Sequence, residues 1–149
     1  MATLANKTIN DGQATPVAHT FTPRADYINS IFYWEDRASG IPIGFPTFSY
    51  SLRQPVARNT VKTANGAQTL SSGVYKELLK FTLPTLESLA PSSNGYTPAP
   101  TVAYTHEAHL ELKLPERGTQ AQRNDFIEYV INMLVNMKTE LKTLDSYWQ

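Results

Sequence analysis

The stretch HEAHLE at 106–111 sets two histidines and two glutamates together, residue types that bind metals and move protons. A zinc helix of the form H-E-x-x-H places its histidines on one helical face. Here His106 and His109 are three apart, and on a strand that spacing sends them to opposite faces, so no metal site is expected. His109 with Glu107 or Glu111 would make the acid–base pair of a small hydrolase, yet neither a nucleophile nor an oxyanion donor accompanies them. His19 is less informative still. The chain has no cysteine, no Gly-rich phosphate loop and no G-x-S-x-G elbow, and its serines at 49, 51, 71 and 72 lack a nearby His and Asp arrangement. No catalytic residue and no cofactor is therefore expected.

A different chemistry lies within reach of Ser49, Ser51, Arg53, Lys76, Lys80, His109 and Lys113. Collected on one sheet face, these groups would grip phosphates and base edges, and Tyr33 would offer a ring for an unpaired base. Glu107 and Glu111 dilute that basic character. Lys plus Arg and Asp plus Glu number 13 each, so the chain has no net charge and any attraction for a polyanion has to be local. An antiparallel sheet also commonly leaves one polar face in water, and the residues alone favour that plain reading over a ligand surface, for His109 as for the rest.

Strands have to position these side chains. Residues 4–22 read as a hairpin, LANKTIN and TPVAHTFT, with Asp11-Gly12 supplying the positive φ angles of a tight primed turn. INSIFYWED at 28–36 reads as a strand, followed by the turn-rich RASGIPIG. Asn65-Gly66 is the strongest short hairpin signal in the chain. A two-residue loop there sets Leu52 against Leu79, Tyr50 against Phe81, Phe48 against Leu83, Ser51 against Lys80 and Ser49 against Thr82, apolar facing apolar. Glu77 and Leu78 break the alternation and Pro55 lacks an N–H donor, so a bulge or bend is expected near them. From 102 to 114, Val102, Tyr104, Ala108, Leu110, Leu112 and Leu114 share one face, with Thr105, Glu107, His109, Glu111 and Lys113 on the other. The proline-rich segment 84–101 reads as a long exposed loop with room for a short strand at its start.

The tail switches period. Thr119 with Gln122 resembles a capping box, after which Phe126, Val130, Leu134, Met137, Leu141 and Leu144 recur at helical spacing. Ile127, Tyr129, Ile131, Met133 and Val135 add more apolar surface than a helix with one dry face can hide. With one sheet and one helical segment to hand, the simplest cover is a second copy of the chain. That dimer interface would use Phe126, Val130, Met133, Leu134, Met137 and Leu141. The whole reads as one α+β domain over 1–149: the hairpin at 4–22, an antiparallel sheet at 28–114 with the loop 84–101, and a helix or helices at 119–147. Apolar residues at 41% and charged residues at 17% suit a globular chain. No segment approaches the ~20 apolar residues of a membrane span, and no signal peptide is apparent, so synthesis in the cytosol and no membrane partner are expected.

The order of these elements, with the strings TPVAHTFTP, FSYSLRQ, KFTLP, LELKLPERGT and RNDFIEYVINMLVNM, resembles the coat proteins of single-stranded RNA bacteriophages, the levivirus family. The likeness spans nearly the whole chain. It implies the RNA phage coat protein fold, an intertwined homodimer with one continuous sheet, and an icosahedral shell assembled in the bacterial host cytoplasm and found as the virion. It also implies that the bare sheet face binds single-stranded phage RNA, including a hairpin whose capture represses replicase translation. Positions carried over by the matching motifs are Ser49, Ser51 and Arg53 in FSYSLRQ, Lys80 four before Pro84, and His109 six before Pro115, with Ile31 and Tyr33. Leu78 and Glu107 fall where well-known relatives have polar or aromatic RNA contacts, so the RNA ligand is expected to differ. The 90–100 loop matches one that meets its copies around symmetry axes, which places Tyr96, Pro98 and Pro100 in inter-dimer contacts. The stretch 55–73 is longer than the matching turn, and the tail shows no break between two helices. A dimeric RNA-binding regulator that forms no shell is the competing expectation.

Overall fold

The computed structural model describes residues 4–24, 30–55, 60–63, 66–69, 73–87, 95 and 97–144. Among them are eight strands: β1 (Lys7–Asn10), β2 (Ala18–Pro23), β3 (Ile31–Glu35), β4 (Thr47–Arg53), β5 (Thr60–Thr63), β6 (Gly66–Thr69), β7 (Val74–Leu86) and β8 (Val102–Pro115). Two helices follow, α1 (Gln120–Asn136) and α2 (Lys138–Thr143). Contacts cluster in two units, Met1–Gln54 with Tyr75–Lys113, and Pro55–Val74 with Leu114–Gln149.

The first unit is built on a six-stranded antiparallel sheet in the order β1-β2-β3-β4-β7-β8. Its dry side is aromatic. Trp34 stacks on Phe48 at 4.7 Å, and Phe21 leans on Phe48 at 5.3 Å and on Phe81 at 6.1 Å. Phe21 and Trp34 are buried, as is Leu112 of β8. The Trp34 Nε1–H donates to the Ala5 carbonyl at 3.0 Å and so ties the lead-in of β1 to β3.

Three expectations need correction. The β1–β2 connection is no tight primed turn: Asn10 pairs with Ala18, and residues 11–17 form the loop. The Asp11 carboxylate accepts from the backbone N–H groups of Val17 at 2.9 Å and Gln13 at 3.2 Å, so it organises a wider loop, and Gly12 is not among the positive-φ glycines. The β4–β7 register is shifted by two residues, setting Tyr50 against Leu79, Phe48 against Phe81 and Ser49 against Lys80. The reason lies at the tip, where β5 and β6 close on the pair Thr63↔Gly66; Gly66 is a strand residue and not part of the loop, while Asn65 lies outside the described residues. The ladder also runs unbroken from Thr47↔Thr82 to Arg53↔Lys76, so Glu77 and Leu78 sit in it without a bulge. β7 continues through Pro84, which the ladder with β4 has already passed at Thr82. The short strand allowed for at the start of 84–101 is the end of β7, and beyond it the Glu87 N–H donates to the Thr101 carbonyl at 2.9 Å.

In the second unit β5 and β6 pair as Thr60↔Thr69 through Thr63↔Gly66. At the start of β7, the Glu116 N–H donates to the Gly73 carbonyl at 2.9 Å, and a Cβ on Gly73 would overlap the Pro55 ring. The capping box is complete: Thr119 Oγ1 accepts from the Gln122 N–H at 3.2 Å, and Gln122 Oε1 accepts from the Thr119 N–H at 2.9 Å. One residue, Met137 at φ −88° and ψ 8°, separates α1 from α2, which ends on left-handed Leu144. The tail is thus two helices as far as it is described; residues 145–147 of the expected span lie outside.

His19 Nδ1 is 2.7 Å from Asp36 Oδ2, and its Nε2 is 3.6 Å from Asp11 Oδ2. The hydrogen bond to buried Asp36 raises the His19 pKa above its ordinary 6.5. Protonated His19 is thereby favoured in the folded chain, so its contribution to stability is complete below pH 6.5 and is lost as pH rises through the raised value. The Tm advantage of the native chain over a His19→Gln variant should shrink as pH rises from about 6.5 through the raised value in scanning calorimetry. Thr119→Ala should cost ~1 kcal/mol through the lost cap. Gly73→Ala should cost ~1–3 kcal/mol by overpacking against Pro55, both read by denaturant titration.

Candidate nucleic-acid interface

Alternation along β4 divides its side chains between two faces: Phe48, Tyr50 and Leu52 on one, Ser49, Ser51 and Arg53 on the other. The neighbouring ladders extend the second set. Tyr33 pairs with Ser49 and Ile31 with Ser51 on the β3 side; Lys80 pairs with Ser49, Leu78 with Ser51 and Lys76 with Arg53 on the β7 side. Because the register shift is even, every residue stays on its expected face, and only the pairings change. Lys80 lies opposite Ser49, not Ser51.

β8 joins this face through charge. Lys80 Nζ is 3.4 Å from Glu107 Oε2, and His109 Nε2 is 3.4 Å from the same oxygen. Lys113 pairs with Glu111 at 3.7 Å further along the strand, and the antiparallel direction of β8 carries that pair toward Lys76. His106 lies edge-on to Tyr104 at 5.3 Å on the opposite face, so the two histidines diverge. Leu78 is 41% exposed among these polar groups, an apolar tile that alternation on β7 did not announce.

The opposite face is dry only where the hairpin covers it. A cavity of about 350 Å³ there is lined by Leu4, Lys7, Phe32, Trp34, Phe48, Tyr50 and Leu79. Burial first, and then the Glu77 carboxylate to which it hydrogen-bonds, raise the Tyr50 pKa above its ordinary 10.0, so the phenol stays protonated. The helices are open as well, with no buried residue in α1 or α2. Phe126, Met133, Leu134 and Leu141 are exposed, and Val130 and Met137 are partly so. Pro98 and Pro100 lie in the described part of the long loop, whereas Tyr96 lies outside the described residues.

Comparison with known proteins gives this two-faced sheet its context. The family model described as levivirus coat protein matches residues 2–66 and 55–146, two stretches that overlap on the β5–β6 arm. The capsid protein of Pseudomonas phage PRR1 is 31% identical over 135 residues, covering 89% of this chain and 86% of that protein. The virus-like particle of bacteriophage ESE058 superposes with a TM-score of 0.75 at 30% identity, over 90% of this chain and 89% of that one. The virus-like particle of bacteriophage NT-214 has the same fold, with a TM-score of 0.75 at 22% identity over 99% of this chain and 100% of that one. A six-stranded antiparallel sheet with C-terminal helices, matched over about nine-tenths of the chain by capsid proteins, defines a structural subunit of a phage capsid, a component of the virion. The chain belongs to the levivirus coat protein family.

Proposed function

We infer that this capsid subunit works as a homodimer, encloses single-stranded phage RNA and holds an RNA hairpin on the polar face of the sheet. The observation that carries the RNA reading is the adjacency of Tyr33, Ser49 and Lys80 in one row of ladder partners and of Arg53 and Lys76 in another. Cations spaced along strands reach successive phosphates, hydroxyls accept or donate to base edges, and a strand tyrosine gives a stacking surface. Ile31, His109 and Lys113 flank these rows. Capture of a hairpin that overlaps a translation start would make the coat a translational repressor, with assembly in the bacterial host cytoplasm.

Dimerisation follows from what a single chain leaves open. β8 is a sheet edge of 14 residues, and Val102–His109 are all exposed. Such an edge recruits another strand unless it is paired, and β8 of a second copy, related by a twofold axis, would continue the sheet. Phe126, Val130, Met133, Leu134, Met137 and Leu141 would then lie against the partner's apolar sheet face. Burying six such side chains is worth on the order of 9–18 kcal/mol per chain before entropy costs. The loop with Tyr96, Pro98 and Pro100 would meet copies from neighbouring dimers in the shell.

Two measurements test this reading. Expression in bacteria should yield particles, visible by electron microscopy, that contain RNA and dissociate to dimers on size exclusion; stable monomers would defeat it. Arg53→Ala with Lys80→Ala should leave dimers intact, weaken RNA binding, and reduce the slope of log K against log salt by roughly 0.7–1.4 for single-stranded RNA, the lower figure where Lys80 is already neutralised by Glu107. An unchanged slope would remove the sheet-face assignment.

A further inference from the structure

Glu107 stands in the middle of the cationic face. One of its oxygens, Oε2, is 3.4 Å from Lys80 Nζ and 3.4 Å from His109 Nε2. All three side chains are open to solvent, at 48% for Glu107, 39% for Lys80 and 55% for His109. Ion pairs this exposed contribute little to folding, so the carboxylate is not explained by stability. Its position has a direct consequence for a polyanion. A phosphate that approaches Lys80 meets a carboxylate already on the ammonium, and a lysine so neutralised releases fewer of the counterions condensed on the nucleic acid.

We propose that Glu107 acts as a built-in competitor for phosphate: by occupying Lys80 it lowers the affinity of the sheet face for RNA that offers only its backbone. This rests on the RNA reading of that face and names a specificity-determining residue within it. Any RNA must displace the carboxylate or make contacts elsewhere to compensate, and an RNA with a fixed shape or exposed bases has those contacts to offer while a featureless strand does not. With net charge zero over the whole chain, discrimination of this kind has to be local.

The test uses the purified full-length protein and polyuridylate in filter binding over a salt series. Glu107→Gln, which keeps size and removes charge, should bind roughly fivefold tighter at about 0.1 M salt, with a slope of log K against log salt steeper by about 0.7. In a Lys80→Ala background that gain should disappear, the mark of a residue acting through Lys80. Glu107→Ala repeats the readout should glutamine disturb folding. If Arg53→Ala weakens binding while Glu107→Gln matches the native protein, the competitor role is wrong and the RNA face stands. A gain that survives intact in the Lys80→Ala background also overturns it. If Arg53→Ala and Lys80→Ala bind as the native chain does, the face itself is misassigned and the competitor falls with it.

Discussion

The ring contacts among Phe21, Trp34, Phe48 and Phe81 decide which side of the sheet is dry, and through the period of two they decide every other assignment. Trp34 and Phe48 are cross-strand partners, stacked at 4.7 Å, so β3 and β4 cannot slip by one residue without separating them. Once those rings point one way, Tyr33, Ser49, Ser51 and Arg53 must point the other. The polar face is thus a product of apolar packing on the reverse side. A rotated face would need an aromatic cluster exposed and a row of cations buried, at a cost of several kcal/mol per unpaired charge.

That dependence explains which parts of the structure were legible in the residues alone. Faces follow from alternation, a local property, and Ser49, Ser51, Arg53, Lys76, Lys80, His109 and Lys113 fall on the side their parity dictates. Register depends on where a turn closes, and Asn65-Gly66 signalled the tip while misplacing its closing pair by one residue on each limb. The even shift preserved the faces and changed each neighbour. At Asp11-Gly12 the same kind of signal failed because the aspartate carboxylate caps Val17 and Gln13, which stabilises a wider loop. The His19–Asp36 bond joins residues 17 apart through tertiary folding, and no motif announces it. Met137 interrupts the tail without glycine or proline, so helical periodicity runs across the break unseen.

The helices make a complementary point. Among the described residues the buried apolar side chains are Phe21, Trp34 and Leu112, all on strands. Leu134 and Met133 are exposed on one helix, while Leu79 and Leu52 are exposed on the sheet. The composition that looked excessive for a one-faced helix is therefore matched by an equally uncovered strand surface. Family membership places the chain among capsid subunits.

The β5–β6 ladder, paired from Thr60↔Thr69 to Thr63↔Gly66, constrains how this hairpin can vary in length. A single residue added to one limb of the arm would either bulge out of the pairing or turn the distal half inside out. One residue added to each limb merely moves the tip outward by ~3.4 Å and leaves the sheet below untouched. Insertions and deletions in this hairpin should accordingly be tolerated in symmetric pairs, so that evolution can lengthen or trim it while the remaining pairs keep their partners.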